Sequence, residues 1–458
     1  MTDLQTIPGE AAPTPESLKP ALETLLAHAK SYGASAANAL ALHGRSLSVG
    51  VREGALEDVD NSENKDIGLT VFVGQRQASV SSSDFSKGSL QSLAERAVAM
   101  AKLAPEDPYC GLSDVDLRAG KSLDLDVYDV QAIPAESLFT RAQELDKIVR
   151  GVDGIAQADG ASAYASGSAL YFMTSDGFAR GRRGSRHGLS VSAIAEKDGA
   201  MERDYDYIGA RWFADLPPPE SVALKAAHQA LARVGSQKIK SGSMPVLFDS
   251  RAAASLISPF LSAISGPSIA RGNSFLKTAM DTDVFAKSIT ITDDPLRRRG
   301  LGSRPWDGEG VKVQARNLID NGRLTTWLLH TSSARQLGLA STGHAAQNPG
   351  APPSVSASNV YVQNGEKTPA KLMADIGNGL LVSEMFGPSL NGNTGDFSVG
   401  IAGFEIKNGQ RGAPVSEITV AGNLKDMFKS LTAANDLEFK NQINSPTLLV
   451  DSMVVAGA

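Results

Sequence analysis

The stretch IGLTVFVGQRQASVS, Ile67–Ser81, places β-branched and aromatic residues at a period of two and breaks at Gly74. That pattern reads as a strand, a turn and a second strand. Upstream, Ala39 to Arg52 alternates in the same way, so the first strands of the chain follow each other closely. Links this short leave no room for crossover helices, and the sheet is expected to be antiparallel. Helices flank it. Leu18, Leu22, Leu25, Leu26 and Ala29 form an apolar stripe over Glu16–Tyr32, stopped by Gly33. Leu90, Leu93, Ala97, Val98 and Met100 form another over Gly88–Leu103.

The order then repeats. Gly68-Leu69-Thr70-Val71 has a counterpart in Gly188-Leu189-Ser190-Val191, each ahead of a turn and a further strand. A helix over Pro134–Arg150 precedes strands at Ala156–Ala165, Ala169–Thr174, Gly188–Glu196 and Ala200–Tyr207, and a helix over Pro219–Val234 closes the unit. From Ser243 the character changes. MPVLFDS reads as a buried strand and Arg251–Ile264 as an Ala/Leu/Ile-rich helix, followed by short strands between Gly, Pro and Asn. One more helix is expected, near Lys425–Leu431. The fold class is therefore α+β: a duplicated helix–antiparallel sheet–helix region, then a largely β C-terminal domain. The expected divisions are a disordered tail at 1–13, α/β units at 14–104 and 134–235 around a Pro/Asp/Gly-rich linker at 105–133, and the β domain at 240–458.

Composition narrows the function. With 458 residues the chain is too long for one compact core. No apolar run approaches the roughly 18–20 residues that span a bilayer, and the polar, acidic N-terminus lacks the features of a secretion signal. One cysteine, Cys110, excludes an internal disulfide and suits a reducing cytoplasm. A net charge of -6 argues against a dedicated nucleic-acid binder.

Catalytic machinery is hard to find. His28, His43, His187, His228, His330 and His344 show no metal-ligand spacing on a helix. His330 and His344 could meet only through the fold. Cys110 sits among acidic residues that raise rather than lower a thiol pKa, and reads as an incidental loop cysteine. There is no G-x-S-x-G elbow and no P-loop. Two basic clusters, Arg180/Arg182/Arg183/Arg186 and Arg297–Arg299 with Arg304, read as solvated loops, with an anionic-substrate or partner-facing surface as the alternative.

Three stretches carry a resemblance. They are SVGVREGALEDVDNSENKDIGLTVFVGQRQAS at Ser48–Ser79, GPSLNGNTGDFSVGIAG at Gly387–Gly403 with PVSEITVAGNL at Pro414–Leu424, and SPTLLVDSMVVAG at Ser445–Gly457. Together they resemble the TldD/PmbA family, and the middle one resembles its PmbA (TldE) branch. In that family the TldD subunit carries H-E-x-x-x-H on a helix early in its C-terminal half, and a later metal-binding cysteine. Here the matching helix is Arg251–Ile264, and its best register puts Ile257, Ser258 and Ser262 at the motif positions. No cysteine stands near Thr432–Asn435. The resemblance thus implies a chain that binds no cofactor itself and is inactive alone. Its implied partner is a zinc-bearing TldD-type subunit, in a cytoplasmic heterodimer that processes or degrades small unfolded peptides, including peptide antibiotic precursors and antitoxins. Self-pairing is left open when that partner is missing. Asn393, Thr394, Asp396, Ser398 and Asn423 are the expected interface or peptide-channel residues, because the Gly-Asn-Thr-Gly-Asp run favours turns over packing. The alternative function is a regulatory binding protein that acts on DNA gyrase or its toxins without proteolysis.

Overall fold

The computed structural model describes residues 6–7, 14–121 and 123–457. The first repeat comprises α1 (Pro15–Ser31), β1 (Ala36–Arg52), β2 (Ala55–Val73), β3 (Arg76–Ser82) and α2 (Lys87–Leu103). The second comprises α3 (Ala135–Arg150), β4 (Ile155–Thr174), β5 (Ala179–Lys197), β6 (Ala200–Ala210) and α4 (Pro219–Arg233). Their strands merge into one antiparallel six-stranded sheet in the order β3-β2-β1-β4-β5-β6, joined where β1 pairs with β4 from Asn38↔Thr174 to Val51↔Ala161. All four helices cover the same face. Ala37, Ala39, Ile67, Leu69 and Val71 pack under α1 and α2, and Ala161, Ala163, Leu189 and Val191 under α3 and α4. These are alternate positions along each strand, which is why period two was the signal.

The matched glycines are equivalent in space. Gly68 and Gly188 each sit one residue inside the point where the third strand of the repeat joins, at Ile67↔Ser82 and His187↔Ala210. Three strand readings need correction. Ala156–Ala165 and Ala169–Thr174 are one strand, β4; β5 begins at Ala179, not Gly188; β2 begins at Ala55, not Ile67. The added stretches are rich in Gly, Ser and charge, so they lack alternation, and long-range pairing overrides their weak propensity. Arg180, Arg182, Arg183 and Arg186 consequently lie in a strand and not in a solvated loop. Of the expected 1–13 tail, Thr6–Ile7 pair antiparallel with Ile133–Pro134, and the rest lies outside the described residues.

The C-terminal half is built around a barrel. Its main elements, besides a second sheet of five short strands, are β7 (Gly242–Phe248), α5 (Ser250–Ala263), α6 (Gly266–Ala270), α7 (Thr331–Gln336), α8 (Pro369–Ile376), β8 (Gly379–Leu390), β9 (Asp396–Lys407), β10 (Gln410–Asn423), α9 (Leu424–Lys429), β11 (Leu431–Ala433) and β12 (Leu448–Ala456). The order β10-β9-β8-β7-β12 closes through β10–β12 pairing, with β11 added on β12. The expected late helix is α9; α6, α7 and α8 were not anticipated, being at most 8 residues long and too short to display a helical stripe. The halves are in intimate contact. A Cβ on Gly68 would stand 2.6 Å from the Cα of Pro349, so only glycine lets that loop lie against the sheet.

A candidate site over a serine-faced helix

The sequence from Asp249 explains why α5 starts where it does. Asp249 is its N-cap, and its carboxylate accepts a hydrogen bond from Ala252 N at 2.8 Å. Burial pushes this carboxyl up to about 6, against backbone donors and the Arg251 charge that pull it down. One face of the helix is apolar: Ala253, Leu256, Ile257, Phe260 and Ile264 lie in the core, Ile257 fully buried. The opposite face carries Ser255, Ser258 and Ser262, all exposed. Their spacing of three and four puts them in one row.

That row lines a cleft of about 670 Å³ between the halves. Tyr164 and Arg186 come from β4 and β5, Asp206 and Tyr207 from β6, and Ser356, Asn444 and Ser445 from the C-terminal half. The cleft is braced by an ionic seam. Arg251 donates to Asp204 Oδ1 at 2.8 Å and to the carbonyls of Tyr205 and Ser383, while Arg233 bridges Asp204 Oδ2 at 3.2 Å and Glu384. Burial by itself would raise Asp204, but the hydrogen bond and charge of Arg251, with Arg233 beyond, hold it below the usual carboxylate range. All four charged groups of this seam are paired, as buried charges must be.

The three positions matched to the metal motif do not converge. Ile257 points into the core, whereas Ser258 and Ser262 face the cleft. An aliphatic chain and two neutral hydroxyls do not fit zinc, which takes thiolate, imidazole or carboxylate. Among the described residues no group of three His, Cys, Asp or Glu is placed to hold a metal ion. Leu256, Ile257, Phe260 and Ile264 pack on the core side of the helix, while Leu261 borders the cleft beside the three serines.

The other candidates resolve individually. His344 spends both ring nitrogens, on Asp293 Oδ2 at 3.1 Å and Thr342 Oγ1 at 2.7 Å. His330 caps α7, its Nδ1 accepting from Ser333 N at 3.2 Å, and faces a separate cavity of about 520 Å³ that His344 does not line. Cys110 lines that same cavity, half-buried; burial raises its thiol pKa and the nearby Asp107 adds to the effect. Asn393 and Thr394, in the exposed turn between β8 and β9, do come together with Asp396 at the start of β9 and Asn423 at the end of β10. Asp396 accepts from Thr394 Oγ1 at 2.6 Å and Asn423 Nδ2 at 2.9 Å, and these bonds hold its pKa down. Ser398 lies further along β9, paired with Ala421. None of the five lines either cleft.

Three domain models of one family match consecutive parts of the chain. PmbA/TldA metallopeptidase domain 1 matches residues 39–101, the central domain 128–234 and the C-terminal domain 241–457. The chain is 34% identical over 444 residues to metalloprotease PmbA of Escherichia coli O157:H7, covering 96% of each. The chain belongs to the PmbA/TldA metallopeptidase family. A metalloprotease PmbA homolog of Haemophilus influenzae is also 34% identical, over 414 residues and 90% of each chain. Two solved structures share the fold. One, described as a candidate modulator of DNA gyrase from Bacteroides thetaiotaomicron, superposes with a TM-score of 0.88 at 25% identity over 97% of this chain and 99% of that one. TldE from Thermococcus kodakarensis gives 0.83 at 19% identity, over 95% and 100%. Within this PmbA/TldA chain, sequence reading missed Tyr164 and Tyr207 as cleft residues, whereas Arg186 lines the cleft in keeping with the substrate- or partner-facing alternative for its basic cluster. For Tyr164 the signal was there: Ser162, Tyr164, Ser166 and Ser168 alternate with Ala161, Ala163 and Ala165 along β4.

Proposed function

We propose that this chain is the PmbA/TldE-type, non-catalytic subunit of a heterodimeric metallopeptidase that acts on small unfolded peptides. One observation carries the reading: the helix matched to the metal-binding helix shows serines to the cleft and buries Ile257 in the core. The subunit's contribution is then structural. Its cleft, braced by the Arg251–Asp204–Arg233–Glu384 seam, offers hydroxyls, amides and paired charges suited to an extended peptide, with catalysis left to a zinc-bearing TldD-type partner. The exposed Asn391–Phe397 turn is proposed as part of the surface that meets that partner. The half-buried, unpaired Cys110 is consistent with a reducing, cytoplasmic setting. The test is to titrate the partner with this chain and follow cleavage of an unstructured peptide. Activity should rise to a plateau at one chain per partner. Full activity of the partner without this chain would contradict the subunit role.

A further inference from the structure

The two repeats differ at one sheet edge. In each, the third strand covers only the C-terminal part of the middle strand, leaving the outer edge of 179–186 in β5 and of 55–66 in β2. In the second repeat that edge is covered. Ser185 N donates to Val127 O at 3.0 Å, Arg211 Nη1 donates to Ser185 O at 3.0 Å, and Arg180 reaches Gly120 O. In the first repeat the corresponding edge is uncovered over residues 55–60, among the described residues. Ala55–Lys65 are exposed on both faces, and among the described residues no other segment makes a backbone hydrogen bond to the outer edge of residues 55–60. A long strand with unpaired main-chain groups is a template for another strand.

The side chains say what kind of strand. Glu57, Asp58, Asp60, Glu63 and Asp66 stand on this edge against one cation, Lys65. Arg52 engages Glu57 at 2.6 Å and Arg45 engages Glu63 at 3.2 Å; Asp58 and Asp60 are left as exposed carboxylates. Pairing of the edge with its own copy would set carboxylate against carboxylate, which is unfavourable directly across a sheet. We propose that the outer edge of residues 55–60 binds an extended, cationic segment of another polypeptide by strand addition. Main-chain bonds would supply affinity and the acidic residues selectivity. This rests on the sheet alone and is independent of the subunit role.

The test uses the full chain and three fluorescent decapeptides: alternating lysine–threonine, the same peptide N-methylated at alternate residues, and alternating glutamate–threonine. The first should bind and protect the amides of 55–60 from hydrogen exchange, and the other two should not. Asp58→Lys with Asp60→Lys, both at exposed positions, should keep the melting temperature and weaken binding about tenfold. Asp58→Pro and Val59→Pro are made in parallel, because neighbouring residues in a strand donate to opposite edges. The one that leaves the fold intact has lost an outward donor and should abolish binding. Equal binding of the N-methylated peptide, unchanged affinity in the double lysine variant, or dimerisation of the chain through this edge would overturn the proposal.

Discussion

Ile257→His is the substitution that tests most sharply how α5 is built. Ile257 is fully buried between the barrel and the rest of the core, so the change removes an aliphatic side chain worth ~1.5–3 kcal/mol. It also leaves an imidazole there without water or a designed partner, costing a further ~1–3 kcal/mol. The expected loss is about 2.5–6 kcal/mol, a large share of the roughly 5–15 kcal/mol that keeps a domain folded. Ser258→Glu with Ser262→His, by contrast, alters the cleft face only and should stay within about 0.5 kcal/mol. Urea denaturation followed by tryptophan fluorescence and by circular dichroism reads both variants. The triple variant should be as unstable as Ile257→His alone and should neither bind zinc nor cleave peptide, because two cleft-facing groups are too few and the supporting hydrogen bonds are missing. If Ile257→His costs under about 1 kcal/mol, or the triple variant binds zinc stoichiometrically, this account of α5 is wrong.

Asp249 gives a pH signature. Its folded pKa of about 6 lies above the unfolded value near 3.8, so the folded state holds the proton more tightly and stability falls as pH rises through that window. The cost at pH 7 is about 3 kcal/mol, and Asp249→Asn, which keeps a capping oxygen, should melt higher at pH 7 and lose that part of the pH dependence; no gain at pH 7 would count against it. Asp396→Ala breaks only exposed, local bonds at its turn, so it should lower the activity of the proposed two-subunit complex more than the melting temperature of this chain; equal losses would make it a turn cap alone. Gly68→Ala forces the Pro349 loop off the sheet and should destabilise by about 1–3 kcal/mol, with faster proteolysis near Asn348–Pro352; wild-type behaviour would mean the contact is slack.

What the sequence disclosed follows physical lines. Strands with one face under helices showed themselves by period two, and the duplication by Gly68-Leu69 and Gly188-Leu189, which occupy equivalent points of one sheet. Hidden from view were the polar extensions of β2 and β5, because a strand exposed on both faces, or one lined with Arg and Gly, has no apolar alternation to read. At the site, order along the chain singled out the helix α5, but a motif register could not say which of its faces met the core. Burial decides that, and it places Ile257 inside and the serines on the cleft. The seam Arg251–Asp204–Arg233–Glu384 joins residues as far as 151 positions apart and left no local trace.

The proposed division of labour between two subunits is tested most directly by metal content and cleavage measured together. This chain, a TldD-type partner and their equimolar mixture would each be dialysed against a weak chelator. Zinc would then be counted and cleavage of an unstructured peptide followed. The account predicts no stoichiometric zinc and no cleavage for this chain alone, zinc in the partner, and full cleavage only in the mixture. Zinc retained by this chain alone at one ion per molecule, with peptide cleavage, would contradict it.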